Sequence, residues 1–328
     1  MKKIIDDSKT LVSDMLKGYA EAYSDRVRLV EPNLLCRAEN KQKGKVGVII
    51  GNGSGHEPAM VDLVGKGLFD VNVVGKIFTA PPPYEILEGI KLADCGAGVL
   101  VMVSSHQGDI LNSRMAIMLA KAEGINAKMV ILYDDIYSAP KGQEEERRGT
   151  AGLFFCWKIV CAAAEQGSDL DTCIRIAEKV RDNTRTLSVA VESGTNPETG
   201  LKTFELPDDE IEVGMGVHGE AGKGRMKLTT ANEVVEYMIK ELVEDKPFNP
   251  GDDVMVLLNN SGSTTRMELM IIYKNIAEYL KKLGINIIRN WVGTYVTTQE
   301  MSGFSISLCK ADSEMLSYYD FPADSPLF

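Results

Sequence analysis

Apolar and polar residues follow two periods that alternate along the chain and predict a succession of strands and helices. Short apolar runs, typical of buried strands, are followed by polar loops and then by segments with helical spacing. In the first half we predict strands at residues 45–50, 71–78, 98–103 and 129–133, and helices at 7–23, 58–65, 84–93 and 110–123. This alternation indicates an α/β fold.

The second half repeats the pattern with more strands. We predict helices at residues 150–166, 170–183, 231–244 and 264–283, and strands at 187–191, 204–206, 213–217, 253–258, 285–296 and 304–310. A chain of 328 residues exceeds the size at which one core usually keeps growing. We therefore expect two α/β domains with mixed β-sheets flanked by helices, an N-terminal one at 1–184 and a C-terminal one at 185–328.

A charged connection at residues 138–149 interrupts this alternation. It is longer than most connections in α/β units. A lid, a contact surface and a plain solvated loop are all compatible with its composition.

Composition and charge argue against several classes of protein. The net charge is −11, which argues against direct nucleic-acid binding, since that requires a basic surface. The longest apolar run, near residues 96–103, is far shorter than a membrane span. The first seven residues turn acidic before any apolar signal segment forms. The six cysteines form no CxxC pair and lie mostly in apolar segments, as reduced thiols of a cytoplasmic protein do.

The three histidines all lie in glycine-containing, loop-like stretches: His56, His106 and His218. Glycine permits tight turns and close approach of the backbone to a ligand, and imidazole is the side chain best suited to proton transfer near neutral pH. His56 and the pair His106/Asp109 follow predicted strands. Ligands of open α/β sheets bind outside the carboxyl ends of strands, so we expect both loops on one rim.

The stretch Gly51-Asn52-Gly53-Ser54-Gly55-His56-Glu57-Pro58 lies between a predicted strand and a predicted helix. Its N–H groups and the helix N-terminus would polarise an oxygen or bind an anion. It has neither the P-loop pattern nor the dinucleotide-binding spacing. A simple tight turn is the alternative. Asp109, at the start of the next helix, is either an N-cap or a group that accepts a proton or hydrogen bond from a substrate hydroxyl.

The segment before His218 alternates glycine with apolar residues and predicts a strand with one glycine face. Glycine weakens a strand, so another group must need the space. His218 could ligate a metal, shuttle protons or attack a carbonyl. A metal-dependent enzyme using the three histidines has little support, because no ligands stand at metal-binding spacing.

Several motifs together resemble the substrate-binding (DhaK-type) subunit of dihydroxyacetone kinases, in order from residue 1 to about residue 319. They are Gly51–Pro58 as given above, Ile77-Phe78-Thr79-Ala80-Pro81-Pro82-Pro83, Gln107-Gly108-Asp109-Ile110-Leu111-Asn112, Arg147-Arg148-Gly149-Thr150-Ala151-Gly152, Gly214-Met215-Gly216-Val217-His218-Gly219-Glu220, Leu257-Leu258-Asn259-Asn260 and Gly303-Phe304-Ser305-Ile306-Ser307-Leu308.

The resemblance implies a homodimer and a catalytic set of His56, Asp109 and His218. His218 matches the histidine that adds to the ketone of dihydroxyacetone to give a hemiaminal. His56 and Asp109 match the acid/base residues for the hydroxyl to be phosphorylated, and Gly53, Ser54 and Gly55 match the loop that lines the substrate. It implies no cofactor in this chain. ADP or ATP with magnesium belongs to a separate nucleotide-binding subunit, and the phosphoryl donor is ATP or a phosphotransferase-system protein.

Three departures from the family pattern concern the pocket. Asn52 stands where the family usually has glycine, and Ser104-Ser105-His106-Gln107 replaces a Lys-Asn-Tyr-Thr-like run, so that Ser104 replaces a substrate-contacting lysine beside His106. The loop at 137–148 also differs.

These departures leave two hypotheses open. The first is a kinase subunit for dihydroxyacetone or a close ketose such as erythrulose. The second is a catalytically silent sensor of dihydroxyacetone that partners a transcriptional regulator. Retention of His56 and Asp109 favours the enzyme, whereas loss of the lysine favours a divergent role.

Overall fold

The computed structural model describes residues 2–30, 32–246 and 248–328. Their contacts divide the chain into two compact units. The His56 unit comprises residues 2–132, 155–179 and 314–328, and the His218 unit comprises residues 133–154 and 180–313. Both are α/β, as the sequence predicts.

The chain passes between the units after residues 132, 154, 179 and 313. The boundary expected at 184/185 lies near the third of these. Segment 133–154 clusters with the His218 unit because Asp135 forms a β-bridge with Thr186 and Arg147 forms an ion pair with Asp245.

The His56 unit contains a six-stranded mixed sheet in the order β1-β2-β4-β3-β5-β6. Strands β4, β3, β5 and β6 run parallel, and β1 and β2 are antiparallel to their neighbours. The strands are β1 (Val27–Val30), β2 (Leu34–Arg37), β3 (Gly47–Ser54), β4 (Val71–Ile77), β5 (Val99–Ser104) and β6 (Ala127–Leu132). β5 is buried throughout, as expected of a parallel strand covered on both faces.

Helices α1 (Leu11–Ala22), α2 (Pro83–Ala93) and α3 (Gln107–Ala122) belong to this unit, whereas α4 (Leu153–Glu165) and α5 (Leu170–Asp182) each extend across a unit boundary.

β3 and β5 are adjacent and parallel, from Gly47 opposite Val99 to Ile50 opposite Met102. Their following loops therefore leave the sheet at the same edge. This confirms that the His56 loop and the His106/Asp109 loop share one rim.

The His218 unit contains a second six-stranded sheet, in the order β11-β10-β12-β7-β8-β9. β10 and β11 are parallel and the other pairs antiparallel. Its strands are β7 (Thr184–Glu192), β8 (Glu210–Val213), β9 (Gly224–Lys227), β10 (Asp253–Asn260), β11 (Asn286–Gly293) and β12 (Ser302–Lys310). Helices α6 (Ala231–Asp245) and α7 (Arg266–Lys282) pack on it, and the short α8 (Ser313–Tyr319) follows β12. Its core includes Leu187, Ile239, Leu258, Ile276 and Ile306.

Three predicted elements are wrong. Residues 58–65 form turns rather than a helix, and the backbone has positive φ at Met60 and Gly65. Residues 204–206 are not a strand, because Phe204 packs beside Met215 and Met301 from an irregular segment. The strand predicted at 213–217 ends at Val213. The short elements β1, β2, β9 and α8 escaped sequence analysis, since four to seven residues carry little periodicity.

All six cysteines are free, and five of them are buried, which agrees with the expectation of reduced, buried thiols. Burial raises the pKa of Cys173 and of Cys309 to about 12, so both stay protonated at neutral pH. Among the described residues, no helix combines the length and apolar character needed to cross a membrane.

Helices α6 and α7 both begin with a capping box, in which a threonine and the glutamate three residues later exchange hydrogen bonds with each other's backbone N–H. At α7, Glu268 N–H donates to Thr265 Oγ1 at 3.3 Å, and Thr265 N–H donates to Glu268 Oε2 at 2.8 Å. The spacing Thr-x-x-Glu marks these starts in the sequence.

We predict that Thr265→Ala lowers the free energy of unfolding by about 1 kcal/mol, because the N–H of Glu268 loses its acceptor. Urea denaturation followed by circular dichroism measures the change. Thr265→Ser keeps the oxygen and serves as the control, with a loss well below that of alanine. Equal losses in the two variants would contradict the capping role.

Candidate functional site

The glycines before His56 make room for the protein's own chain. Gly51 to Ser54 belong to β3 rather than to a loop. A Cβ on Gly53 would lie 2.5 Å from the nitrogen of Thr79, and one on Gly55 would lie 2.6 Å from the ring of Phe78. The turn that follows β4 therefore requires these glycines. A role of Gly53 and Gly55 in substrate binding would have to use their backbone groups.

His56 is buried and lies beside an aromatic ring. His56 is only 5% exposed to solvent, and the centroids of the His56 and Phe78 rings are 5.2 Å apart. The N–H of Gly55 donates to the Glu57 carboxylate at 2.9 and 3.1 Å. Because no helix begins at Pro58, the predicted anion site at a helix N-terminus is wrong.

Asp109 is the third residue of α3, and His106 occupies the N-cap. The capping interpretation of Asp109 is therefore wrong. Asp109 is 5% exposed, and the side-chain amide of Asn52 donates to its Oδ2 at 3.3 Å. Its Oδ1 is buried without a hydrogen-bond partner among the described residues. Burial raises the pKa of Asp109 to about 7. Such a carboxyl can accept or donate a proton near neutral pH.

Ser104 and His106 lie at the connection from β5 to α3. Ser104 is the last residue of β5 and is buried. The N–H of His106 donates to the carbonyl of Ser104 at 2.7 Å, and the carbonyl of His106 accepts from the N–H of Ile110 at 3.0 Å. The His56 unit thus brings Ser104, His106 and Asp109 to the strand ends next to Ser54 and His56.

The loop that carries His218 begins directly after β8. Gly214 has φ +80, and a Cβ there would lie 2.7 Å from Tyr137. A Cβ on Gly216 would lie 2.2 Å from Glu220 Oε2 and 2.6 Å from Arg148 Nη1. These side chains are the groups that need the space left by glycine in this segment.

Side chains bond the carbonyls of this loop one after another. Arg148 donates to the carbonyl of Gly214 at 3.0 Å, Ser188 to that of Met215 at 2.5 Å, and Thr298 to that of Val217 at 2.7 Å. The Arg148 guanidinium also pairs with the carboxylate of Asp135, at 2.8 Å through Nη2 and 3.1 Å through Nε. These side-chain bonds fix the loop together with a backbone bond from the N–H of Gly214 to the carbonyl of Ser188 on β7.

Glu220 bonds His218 twice. Its Oε1 lies 2.8 Å from Nδ1 of the His218 ring, and its Oε2 accepts from the His218 N–H at 2.8 Å. Burial raises the pKa of Glu220, but the hydrogen bond from His218 and the charge of that ring outweigh it and lower the pKa well below its usual range. An ionised Glu220 keeps the ring proton on Nδ1, so that the neutral imidazole carries its lone pair on Nε2. This tautomer suits attack on a carbonyl carbon.

The motif at residues 147–152 fixes the backbone of the His218 unit. Arg147 forms two bonds with Asp245, at 2.8 and 2.5 Å. The buried carboxylate of Asp134 accepts from the N–H and hydroxyl of Thr150 and from the N–H of Gly152. Both ends of the 138–149 connection are thus anchored, and its role as a lid or contact surface stays a prediction.

Sequence reasoning missed the residues that hold the His218 loop. Glu220 had a signal, since it lies two residues after the histidine in the same motif. Asp135 follows a buried strand in a pair of aspartates, and Arg148 lies in one of the motifs. Ser188 and Thr298 carry no signal, because only the folded chain brings them to the loop.

The two units define an α/β protein that carries a histidine bonded to a glutamate on a fixed loop and a buried carboxyl at a sheet edge. The Dak1 domain model matches residues 17–327. The chain therefore belongs to the Dak1 domain family, which confirms the resemblance drawn from the motifs.

The names of the proteins that this chain resembles describe different functions. The dihydroxyacetone-binding subunit DhaK of PTS-dependent dihydroxyacetone kinase 1 from Listeria innocua is 39% identical, covering 96% of this chain and 95% of that protein. The D-erythrulose kinase of Mycolicibacterium smegmatis is 37% identical over 100% of this chain, which spans 56% of that enzyme. The structure of the dihydroxyacetone kinase operon co-activator Dha-DhaQ superposes with a TM-score of 0.90, at 30% identity, covering 96% of this chain and 97% of that one.

We predict that Asp109→Asn stabilises the protein more at pH 8 than at pH 5. The pKa of Asp109 is raised by burial, from an ordinary value of 3.8 to about 7 in the folded protein. The protonated carboxyl makes its full contribution to the free energy of unfolding below about pH 4, and this contribution is lost as the pH rises to 7. Asparagine has no such loss.

The gain of Asp109→Asn over wild type should therefore be larger at pH 8 by roughly 2–3 kcal/mol. Urea denaturation at the two pH values measures it. Asp94→Asn, at an aspartate that is not buried, is the control and should show no comparable difference. A gain that is equal at both pH values would contradict a raised pKa of Asp109.

Proposed function

We propose that this chain is the dihydroxyacetone-binding subunit of a dihydroxyacetone kinase. It binds dihydroxyacetone or a similar short ketose and presents a terminal hydroxyl for phosphorylation by a separate nucleotide-binding subunit. The observation that carries this proposal is the His218 ring held by Glu220, in a chain 39% identical over 96% of its length to a dihydroxyacetone-binding subunit.

In the proposed capture step, Nε2 of His218 attacks the carbonyl carbon of the ketose. A carbon–nitrogen bond forms, the carbonyl π pair moves to oxygen, and that oxygen takes a proton. The proton that the oxygen takes comes from water and the Nδ1 proton is released to water, while Glu220 stays ionised, so that a neutral hemiaminal results and no atom is lost. Glu220 favours this step because its negative charge stabilises the positive ring that develops. Glycerol has no carbonyl and is rejected.

His56 and Asp109 are the proposed acid/base residues for the hydroxyl. An ionised Asp109 is a base strong enough to receive a hydroxyl proton as transfer proceeds, because burial raises its pKa to about 7. Phosphoryl transfer gains most from positioning of the acceptor. Ser54, Ser104 and His106 are proposed to contact the substrate.

The proposed partners follow from the family. This chain needs no cofactor of its own, and ADP or ATP with magnesium would bind the nucleotide-binding subunit. A phosphotransferase-system protein is the proposed donor when ADP stays bound, and the name of the Listeria innocua relative as PTS-dependent supports it. A homodimer in the cytoplasm completes the proposal.

A sensor of dihydroxyacetone is the second candidate. One observation favours it, the TM-score of 0.90 with a dihydroxyacetone kinase operon co-activator. The resemblance drawn from the motifs adds that Ser104 stands where a substrate-contacting lysine is expected. Such a protein would keep the capture step and lose phosphoryl transfer. The likeness to a D-erythrulose kinase supports erythrulose as an alternative substrate of the enzyme.

We predict that dihydroxyacetone labelled with carbon-13 at the carbonyl loses its ketone signal on binding and gains one of a tetrahedral carbon. His218→Ala should show no tetrahedral signal. Glu220→Gln should lower the bound fraction at least tenfold, because one amide oxygen cannot accept from both the ring and the main chain. NMR at saturating ketose measures this, with labelled glycerol as the control. A ketone signal that persists in wild type at saturation would refute covalent capture.

We further predict that the chain forms dihydroxyacetone phosphate when mixed with a nucleotide-binding kinase subunit, its phosphoryl donor and dihydroxyacetone. Asp109→Asn should lower the rate roughly 10²–10⁴-fold while leaving the tetrahedral signal intact. A coupled triose-phosphate assay measures the rate. Adduct formation with no product from either ATP or a phosphotransferase-system donor would instead support the sensor.

A further inference from the structure

Asn52 is a buried amide that touches the proposed base. It is 7% exposed and lies on β3 opposite Val74 of β4. Its Nδ2 donates to Asp109 Oδ2 at 3.3 Å, whereas its own Oδ1 is buried without a partner among the described residues. Burying an amide that is only half satisfied costs free energy. A purely structural strand position would be filled more stably by an apolar side chain.

We propose that Asn52 is a positioning residue for Asp109, holding its carboxylate through Oδ2 and leaving Oδ1 for the proton of a substrate hydroxyl. The proposal rests on the proposed function, in which Asp109 is the base. A hydrogen bond to the ionised form favours that form, so Asn52 extends the range in which Asp109 is a carboxylate towards lower pH.

Charged groups on the elements around α3 are bonded elsewhere. On α2, Glu85 accepts from Asn33 at 2.6 Å, and Glu88 pairs with Lys91 at 3.0 Å. On β6, Lys128 pairs with Asp171 at 2.6 Å. His56 and His106 lie in the two loops at this edge. Asn52 is thus the group that the structure shows bonded to the Asp109 carboxylate.

The test is the pKa of Asp109, read by carbon-13 NMR of the full chain labelled at aspartate carboxyls, with Asp109→Asn identifying the signal. Asn52→Leu keeps the space filled and removes the donor, so we expect the pKa to rise by about one unit. Asn52→Asp keeps the size and places a second carboxyl beside the first, so we expect at least as large a rise. It also serves if the leucine variant does not fold.

Asn72→Leu is the matched control. Asn72 is 2% exposed, lies on the neighbouring strand β4, and also has a buried Oδ1 without a partner among the described residues. It should leave the pKa of Asp109 unchanged. In the coupled assay, the acid limb of the pH profile of kcat/KM should shift to higher pH in Asn52→Leu and stay at the same pH in Asn72→Leu.

An Asp109 pKa that is unchanged or lowered in both Asn52 variants would overturn the proposal. A rise equal to that in Asn72→Leu would reduce Asn52 to a packing residue and overturn it as well. The measurements of the Asp109 pKa by NMR need neither substrate nor phosphoryl donor. A failure of phosphoryl transfer with a shifted pKa would therefore count against the proposed kinase and leave the Asn52–Asp109 contact supported.

Discussion

The carboxylate of Glu220 bonds two groups of a single residue, the ring and the main-chain N–H of His218, and the loop around it depends on this arrangement. A Cβ at Gly216 would strike this carboxylate and the Arg148 guanidinium, so a larger residue there would displace one of these two side chains. The carbonyls of the loop accept from the side chains of Arg148, Ser188 and Thr298 rather than from the backbone N–H groups of a neighbouring strand. Side-chain bonds to the backbone replace sheet pairing, and the imidazole is held in place before any ligand binds.

The carboxyl groups of Asp109 and Glu220 lie in environments that shift their pKa values in opposite directions. Burial alone raises the pKa of Asp109, whereas the His218 ring overcomes burial and lowers the pKa of Glu220. Near neutral pH, Glu220 is therefore a permanent anion that can stabilise a cationic ring, and Asp109 is a group that can change its charge. Environments that separate two pKa values in this way assign different roles to chemically similar side chains.

The sequence predicted the features that depend on local pattern. Strand, loop and helix alternation identified the two α/β sheets, and the order of β3 and β5 placed His56 and Asp109 at one sheet edge. The resemblance assigned the expected role of His218. What failed were short stretches whose apolar residues serve contacts distant in sequence: Phe204 packs with Met215 and Met301, and residues 58–65 turn repeatedly. Arg148 reaches Gly214 only after folding, so no spacing could reveal it.

The choice between an enzyme and a sensor depends on the His56 unit. The residues that the resemblance identified as departures, Asn52, Ser104 and His106, all belong to it, whereas His218 and Glu220 belong to the other unit. The proposed carbonyl capture is common to both candidate functions and does not separate them. A sensor gains nothing from a buried, ionisable carboxyl at position 109, since asparagine would fill the same space without the cost of burying charge. The buried carboxyl of Asp109, with an amide bonded to it, therefore favours the proposed phosphoryl transfer over the sensor.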